Sequence, residues 1–325
     1  MDGAKIYVIH ENNAWVEPLR AAFAERGLPY AEWFIDAGRL NLDEAPPEGV
    51  FYNRMSASSH TRGHRYAPEY TACLLAWLEG HGRRVVNTTR ALALEVNKVA
   101  QYAALNAHGI RTPRTVAAAS DDDILEAARL FDGPFMTKHN RAGMGLGARL
   151  FHGIKELRDY VEGPEFEPSV DGITLVQEYI EAPEPYITRV EFVGGRFLYA
   201  VRADTSQGFE LCPADACRLD DAFCPGGEKP PGLFTVIKDF DHPLVERYVG
   251  FLAANAIEIA GVEFILDKNG VAYTYDINTN TNYNPQAEAE AGSPGMGMGA
   301  IADFLCTELA RLTGMDLPCA QVAAE

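Results

Sequence analysis

The sequence predicts an α+β protein in which a small parallel-sheet domain is followed by antiparallel hairpins. Residues 1–88 alternate in the order β-α-β-β-α-β, which is typical of a parallel sheet with crossover helices. Two later pairs of apolar runs are separated by short turns, at Gly194-Gly195 and at Lys268-Asn269-Gly270, and both indicate hairpins. The chain has 325 residues, 47% of them hydrophobic and 23% charged, so it has room for two or three packed domains.

The first domain is predicted from its apolar runs and the glycines that end them. Helical spacing over residues 15–27 ends at Gly27, a residue suited to a helix C-terminus. In chain order we expect a strand over residues 4–9, this helix, strands in YAEWFID and GVFYNRMS, a helix in APEYTACLLAWLEGHG and a short strand in RRVVN.

The remaining elements are predicted in the same way, and they begin with one continuous helix over residues 90–108. There follow strands in GPFMTKHN and ARLFHG on either side of a glycine loop, then strands in TLVQEYI, YITRVEFVGG and RFLYAVRAD, and a helix in HPLVERYVGFLAANAIEIAG. Residues 203–240 are irregular and rich in proline and glycine, and residues 203–234 give no indication of a role.

The charge and hydropathy of the chain exclude several classes of function. The formal net charge is −18, whereas nucleic-acid binders usually carry a basic surface, so we expect no nucleic-acid partner. No run of 18 apolar residues is present, and the N-terminus lacks the features of a signal peptide, so we expect a cytoplasmic protein that does not span a membrane. An anionic ligand would need a local basic pocket or a metal ion in this acidic field.

The cysteines give no clear metal site. The chain has six, Cys73, Cys212, Cys217, Cys224, Cys306 and Cys319. The central three lie in a stretch rich in proline and glycine but lack the C-x-x-C pairs of zinc knuckles. We therefore expect reduced cysteines.

The hairpin over residues 261–282 carries polar side chains inside apolar runs. Glu263 and Asp276 are 13 residues apart (276 − 263), and pairing around the turn can place them side by side. Asn278, two residues further on, should share their face, with Phe264 and Tyr275 on the other. Two carboxylates and an amide oxygen suit Mg²⁺, although an edge hairpin with solvated polar residues has the same pattern.

Two lysines and a glycine loop indicate a phosphate-binding region. Lys98 lies in the predicted helix, and Lys138 lies in a strand just before the loop RAGMGLG. Glycines at positions 143, 145 and 147 would allow backbone N–H groups to approach phosphates without clashes at Cβ. The loop has no G-K-[ST] and no dinucleotide fingerprint, so a plain hairpin turn is the alternative.

The stretch LVQEYIEAPEPY is a strand that leads into a proline-rich segment. Its backbone, or Glu178, could contact an adenine edge, and Glu184 could accept hydrogen bonds from ribose hydroxyls. A connecting segment with solvated acids is the alternative interpretation.

In order and spacing, these motifs resemble the ATP-grasp superfamily over nearly the whole chain, and the RimK-like carboxylate–amine ligases most of all. D-alanine–D-alanine ligases and glutathione synthetases are also similar. The resemblance is carried by Lys98, Lys138, Gly143, Gly145, Gly147, the hinge residues Gln177, Glu178, Tyr179 and Ile180, Arg189, Arg202, Glu263, Asp276 and Asn278. The sequence departs from the family pattern at Asp276, where Glu is more usual, and at Ile187-Thr188-Arg189, which replaces D-x-R; Glu184 is the substitute for the ribose contact.

The resemblance implies three domains, at residues 1–88, 89–178 and 179–325, with ATP bound between the last two. It implies one or two Mg²⁺ ions, or Mn²⁺, held by the hairpin acids. It also implies a ligase that makes an acylphosphate from a small carboxylate, releases ADP and then forms a carbon–nitrogen or carbon–sulfur bond with release of phosphate. Arg189 and Arg202 would act on the acylphosphate. A kinase-like phosphotransferase and a non-catalytic nucleotide-binding regulator are the alternatives, and a homodimer is compatible with the family.

The stretch YNRMSASSHTRGHRYAPE is a candidate substrate loop. It concentrates basic residues after a strand of the first domain, where loops form ligand crevices: Arg54, His60, Arg62, His64 and Arg65. Such a loop could bind a substrate carboxylate, and a loop held by local salt bridges is the alternative. The identity of the carboxylate and of the nucleophile is not encoded in any motif.

Overall fold

The computed structural model of the chain describes residues 3–143, 145–206, 233–317 and 319. The described residues contain three β-sheets, one parallel and two antiparallel, with helices packed against them. This mixed architecture confirms the predicted α+β class.

The first sheet is parallel, and it has the predicted order of elements. Its strands and helices are β1 (Lys5–His10), α1 (Asn13–Glu25), β2 (Tyr30–Phe34), β3 (Gly49–Asn53), α2 (Ala67–Gly80) and β4 (Arg84–Val86). The strands lie in the order β2-β1-β3-β4. Helix α1 begins at the Asn12 cap, whose side chain accepts hydrogen bonds from the N–H groups of Ala14 and Trp15. A short 3-10 helix, Ser59–Arg62, follows β3.

The helix predicted over residues 90–108 is in fact two helices, α3 (Thr89–Glu95) and α4 (Lys98–Ala107). Asn97 separates them: its backbone is extended, and its side chain accepts a hydrogen bond from the Ala100 N–H. Asparagine side chains favour such caps over helix interiors, and apolar periodicity alone does not reveal the break. Lys98 consequently lies at the first position of α4.

The second sheet is antiparallel and forms a separate lobe. Its elements are β5 (Thr115–Ala118), α5 (Asp121–Ala128), β6 (Phe135–His139), β7 (Arg149–Phe151), α6 (Ile154–Val161) and β8 (Thr174–Glu178). The strands lie in the order β5-β8-β6-β7, and both helices pack on one side of the sheet around Phe135 and Phe151.

The third sheet is also antiparallel and carries the hairpin over residues 261–282. Its elements, with the helices that follow, are β9 (Tyr186–Val193), β10 (Arg196–Asp204), β11 (Phe234–Ile237), α7 (Leu244–Ala254), β12 (Ile259–Leu266), β13 (Ala272–Asn278), α8 (Pro285–Glu290) and α9 (Met296–Thr313). The strands lie in the order β11-β10-β9-β12-β13. Across the ranges described, no helix has the length and apolar character needed to span a bilayer.

Helix α9 packs against the first sheet although it comes last in the sequence. Its buried Ile301 belongs to the same apolar cluster as Ile6 and Val8 of β1. An ion pair with a distance of 2.6 Å between Arg26 Nε and Asp303 Oδ1 adds a polar contact between α1 and α9. The C-terminal helix therefore joins the first and third sheets.

The expectation of reduced cysteines is wrong for Cys306 and Cys319, which form a disulfide. This bridge links α9 to the segment that follows it. Cys73 is free and exposed. The three cysteines considered as a zinc cluster, Cys212, Cys217 and Cys224, lie outside the described residues, so that interpretation stays untested.

Candidate functional site

A cavity of about 430 Å³ lies between the second and third sheets, with one end against the first domain. Its volume is within the range of sites that bind small ligands. Most of the site residues predicted from the sequence line it: Lys98, Lys138, Gly143, Gly145, Gln177, Glu178, Tyr179, Ile180, Glu184, Arg189, Glu263, Asp276 and Asn278. Gly147 and Arg202 lie outside this lining.

The hairpin of β12 and β13 places its two acids directly opposite each other. Glu263 pairs with Asp276 in the strand register, which confirms the pairing predicted from their spacing. Asn278 pairs with Gly261 and lines the same cavity. The hairpin thus presents three oxygen-bearing side chains to one space.

The expectation that Tyr275 faces away from these acids is wrong. The register shifts after Glu263, so that Phe264 pairs with Thr274 and Tyr275 is the additional residue of a β-bulge. A bulge breaks the strict alternation of side chains along a strand. Tyr275 therefore lines the cavity beside Asp276.

Both hairpin acids are paired with cations. Lys98 Nζ lies 2.5 Å from Asp276 Oδ1, and Arg189 Nη1 lies 2.7 Å from Glu263 Oε1. Arg189 Nε also lies 2.5 Å from Glu191 Oε1. Burial acts to lower the pKa of Lys98, but the charge of Asp276, its hydrogen bond with Lys98 and the neighbouring Tyr102 and Glu95 together outweigh burial, and the pKa lies above its usual value. Positive and negative groups are therefore interleaved along this wall.

Lys138 of β6 faces the hairpin from the second sheet. Its Nζ lies 4.7 Å from the centre of the Tyr275 ring, an arrangement that favours a cation over the aromatic face. Burial, and next the charge of Lys98, lower the pKa of Lys138 to about 8. A phosphate placed here would raise that pKa, because an anion favours the charged ammonium.

The glycine loop closes over the cavity through Gly143 and Gly145, and Gly145 has a positive φ of 77°. Gly147 has a packing role instead, since a Cβ there would lie 2.2 Å from the His139 ring. The loop is therefore divided: its first part lines the cavity, and its last glycine packs against β6.

The hinge leaves β8 along the rim of the second sheet. Glu178 donates its backbone N–H to the Arg114 carbonyl, and its Oε1 accepts a hydrogen bond from the Arg114 N–H at 2.6 Å. Gln177 Nε2 donates to the Tyr102 and Thr115 hydroxyls. These bonds fix the strand end, and the Glu178 carboxylate is occupied by the protein itself.

Arg202 and Glu184 form an exposed pair beside the cavity. Arg202 Nη2 lies 2.9 Å from Glu184 Oε2, and the guanidinium stacks 3.8 Å from the centre of the Tyr186 ring. Because Glu184 lines the cavity, this pair sets the position of one carboxylate at its edge.

The basic loop of the first domain is held by ion pairs. Arg62 lies 2.6 Å from Glu11 Oε1, and Arg65 lies 3.1 Å from Glu69 Oε1. The pKa of the imidazole of His60 is lowered, first by burial. These side chains lie outside the cavity lining, and only the serines of the loop, Ser56 and Ser58, reach it.

Arg54 is also outside the lining, and it is 1% exposed. It donates hydrogen bonds to Asn280 Oδ1, Asn282 Oδ1 and the carbonyls of Trp15 and Thr281. It thus ties the first domain to the segment after β13.

Sequence reasoning missed several residues of the cavity wall: Trp15, Ser56, Ser58, Glu95, Tyr275, Asn280 and Asn282. Two of them, Asn280 and Asn282, could have been found from their spacing in the sequence. Asn278, Asn280 and Asn282 recur at a spacing of two, the period of an extended chain, and all three line the cavity. Trp15 and the two serines come from distant segments and could not be assigned by spacing.

The hairpin residues fit a hard cation in their chemistry. Glu263, Asp276 and the Asn278 amide offer three oxygens, and the Asn278 Nδ2 is buried without a hydrogen-bond partner in the described structure. Oxygen donors of this kind suit Mg²⁺. Among the residues described, no three His, Cys, Asp or Glu side chains form a metal-binding group, so the amide is needed as the third donor.

Solved structures of the same architecture are found over most of the chain. An ATP-grasp RimK domain protein from Sphaerobacter thermophilus DSM 20745 aligns with a TM-score of 0.60 and 19% identity, over 92% of this chain and 99% of that one. The D-cycloserine synthetase DcsG aligns with a TM-score of 0.61 and 16% identity, over 94% and 99%. The ATP-grasp ligase PsnB, in complex with a minimal precursor, Mg and ADP, aligns with a TM-score of 0.62 and 14% identity, over 95% and 99%.

By sequence, no protein-family model and no curated protein matches the chain. The similarity of the chain to these proteins is therefore one of structure, and it extends over all three sheets and nearly the full length of the solved proteins. On this basis the chain has the fold of these ATP-grasp proteins.

Proposed function

We propose that the chain is an ATP-dependent ligase that joins a carboxylate to an amine, or to a thiol, through an acylphosphate. One observation carries the proposal: Lys98, Lys138, Glu263 and Asp276 converge from three parts of the fold on one cavity of about 430 Å³. Lysines beside paired acids are the groups that bind a nucleotide triphosphate and its metal ion.

The adenine end of the nucleotide would lie against the hinge, where Glu178, Tyr179 and Ile180 line the cavity. The Glu178 carboxylate and N–H are both engaged by Arg114, and the Tyr179 N–H donates to the Pro134 carbonyl. The backbone of Ile180, further along the hinge, is therefore the better adenine partner. Glu184, which lines the cavity and pairs with Arg202, would accept hydrogen bonds from the ribose hydroxyls.

The phosphates would lie under the glycine loop, between Lys138 and Lys98. Lys138 is the more available of the two, because Lys98 is already paired with Asp276. Glu263, Asp276 and Asn278 would hold one or two Mg²⁺ ions, or Mn²⁺. A bound ion would neutralise charge on the transferring phosphoryl group.

In the proposed reaction, a carboxylate oxygen of the substrate attacks the γ-phosphorus of ATP, and the bond to the bridging oxygen of ADP breaks. The nucleophile then attacks the acyl carbon, phosphate leaves with the electron pair of the carbon–oxygen bond, and the amine or thiol loses a proton. Two guanidinium groups would stabilise the acylphosphate: that of Arg189, held between Glu191 and Glu263, and that of Arg202 at the rim.

The substrate class we propose is a small amino acid or a peptide. The names of the structural neighbours support this range: one is a D-cycloserine synthetase, and the macrocyclase MdnC from Microcystis aeruginosa MRC is bound with a precursor peptide. We further propose domains at residues 1–88, 89–178 and 179–325, and a homodimer as the state to test by light scattering.

The test is an ADP-release assay over a panel of amino acids and dipeptides, with ATP and Mg²⁺, followed by mass spectrometry of the products. A ligase releases ADP in quantity only when carboxylate and nucleophile are both present. ADP release with one substrate alone, giving a stable phosphorylated product, would indicate a kinase-like phosphotransferase. Nucleotide binding without ADP release across the panel would indicate a regulator.

A further inference from the structure

Arg54 is a buried cation without a carboxylate partner in the described part of the chain. It is 1% exposed, and its hydrogen bonds go to two backbone carbonyls and to Oδ1 of Asn280 and Asn282, at 3.0 and 2.8 Å. Burial lowers the pKa of its guanidinium, yet an arginine stays charged at neutral pH. An uncompensated buried charge is costly, so an anion close to it would be stabilised.

The hydrogen bonds of Arg54 fix which way the two amides point. A guanidinium has donors only, so each asparagine must turn its oxygen toward Arg54. The NH₂ group of each amide then points away from Arg54, and both residues line the cavity. Donation from a cation polarises an amide and strengthens its own N–H donors. Asn280 and Asn282 therefore present hydrogen-bond donors to the cavity.

These donors lie at the end of the cavity next to the first domain. Asn280 is two residues past Asn278, in the bend that follows β13, and Arg54 of the first domain donates to it. Ser56 and Ser58 line the same end, whereas the guanidinium of Arg62 is neutralised by the buried Glu11. An anion here would be held by neutral donors, with the charge of Arg54 behind them.

We propose that Asn280 and Asn282, oriented by Arg54, form the subsite for the carboxylate of the substrate. This inference rests on the proposed ligase function and replaces the direct arginine contact expected from the sequence. Arg54 is a positioning residue, because it acts through the two amides. The loop serines would add hydroxyl contacts at the same end.

The discriminating variants are Asn280→Asp and Asn282→Asp. Each aspartate keeps an oxygen that accepts from Arg54 and forms an ion pair with it. The NH₂ donor that would face the cavity is replaced by the second carboxylate oxygen. The folded protein should keep or raise its Tm, and carboxylate binding should weaken at least tenfold. Asn269→Asp, in the exposed turn between β12 and β13, adds the same charge away from the site and is the control.

The probe pair is acetate and acetamide, which have nearly the same shape and differ in charge. Binding is followed by line broadening of the ¹³C-labelled carbonyl signals, with the protein saturated with AMP-PNP and Mg²⁺, and AMP-PNP affinity is measured by calorimetry. We expect the unchanged protein to prefer acetate at least tenfold, both site variants to lose that preference, and AMP-PNP affinity to stay within twofold.

Equal broadening of the two probes by the unchanged protein would overturn the inference, as would site variants that bind acetate as the control does. If an aspartate variant does not fold, Asn280→Ala removes the donor without adding charge and must show the same loss. The probe assay needs no turnover. A protein that prefers acetate and releases no ADP would refute the ligase and leave the carboxylate subsite standing.

Discussion

The protonation of Lys138 should make nucleotide affinity depend on pH. With a pKa of about 8, this side chain would be about nine-tenths charged at pH 7 and about one-tenth charged at pH 9. If phosphate contact requires the ammonium, affinity for AMP-PNP should fall about tenfold between these pH values. Binding at pH 8 should also take up about half a proton, because the bound phosphates hold Lys138 in its charged form.

The assay is calorimetry at pH 7, 8 and 9, in pairs of buffers that differ in ionisation enthalpy. Lys138→Arg supplies a charge that does not titrate in this range, so its residual pH dependence measures all other groups, including the nucleotide. Lys138→Met should bind weakly at every pH. Lys155→Met, at an exposed ion pair with Asp159, is the matched control.

The stability of the nucleotide-free protein gives a second readout of the same group. The folded pKa of Lys138 lies below the unfolded value of a lysine, so between about pH 8 and pH 10.5 the unfolded state binds more protons, and this residue makes stability rise with pH. Lys138→Met should raise the Tm at pH 7. In the binding assay, the affinity of Lys138→Arg for AMP-PNP should depend less on pH than that of the unchanged protein. An equal dependence would refute the assignment of the pH effect to Lys138.

Three further predictions concern other parts of the site. Asp276→Asn should reduce turnover at least a hundredfold, and it should also lower the Tm because it leaves the Lys98 ammonium unpaired. Adding Lys98→Met to this variant should restore the Tm and leave turnover low. Normal turnover of Asp276→Asn alone would contradict the metal role. Arg202→Gln should change stability by less than about 1 kcal/mol, since its pair with Glu184 is exposed, while it slows the ligation step in single-turnover kinetics. Asn97→Ala should cost about 1 kcal/mol in urea denaturation through the loss of the α4 cap, and a change below the error of that measurement would mean that the break in the helix is fixed by tertiary contacts.

Features set by local period and spacing could be predicted from the sequence. The pairing of Glu263 with Asp276 follows from a short turn and a period of two, and it is confirmed. The bulge at Tyr275 and the helix break at Asn97 could not be predicted, because each depends on one residue that interrupts a regular pattern. Such interruptions depend on the hydrogen bonds and backbone geometry of single residues, such as the cap at Asn97, rather than on apolar periodicity.

The basic loop after β3 shows that residue type alone does not reveal which charges are available to a ligand. Its arginines are visible in the sequence, but their partners are not: Glu11 is 51 residues from Arg62, and Asn280 is 226 residues from Arg54. A cluster of like charges indicates a binding surface only if the charges remain available. The contacts that neutralise or bury them come from distant segments, so the sequence alone does not show which of these charges remain available.

The packing of α9 on the first sheet affects how the chain can fold and move. Arg26 and Asp303 meet across a separation of 277 residues, so the apolar face of β1 and β3 is covered only in part, by α1, until α9 has been synthesised. A fragment that ends after β4 would expose that face and aggregate. In the folded protein, residues of the first and third sheets belong to one apolar cluster, so we expect these two sheets to move together. Opening of the proposed nucleotide cavity would then require the second sheet to move relative to the other two.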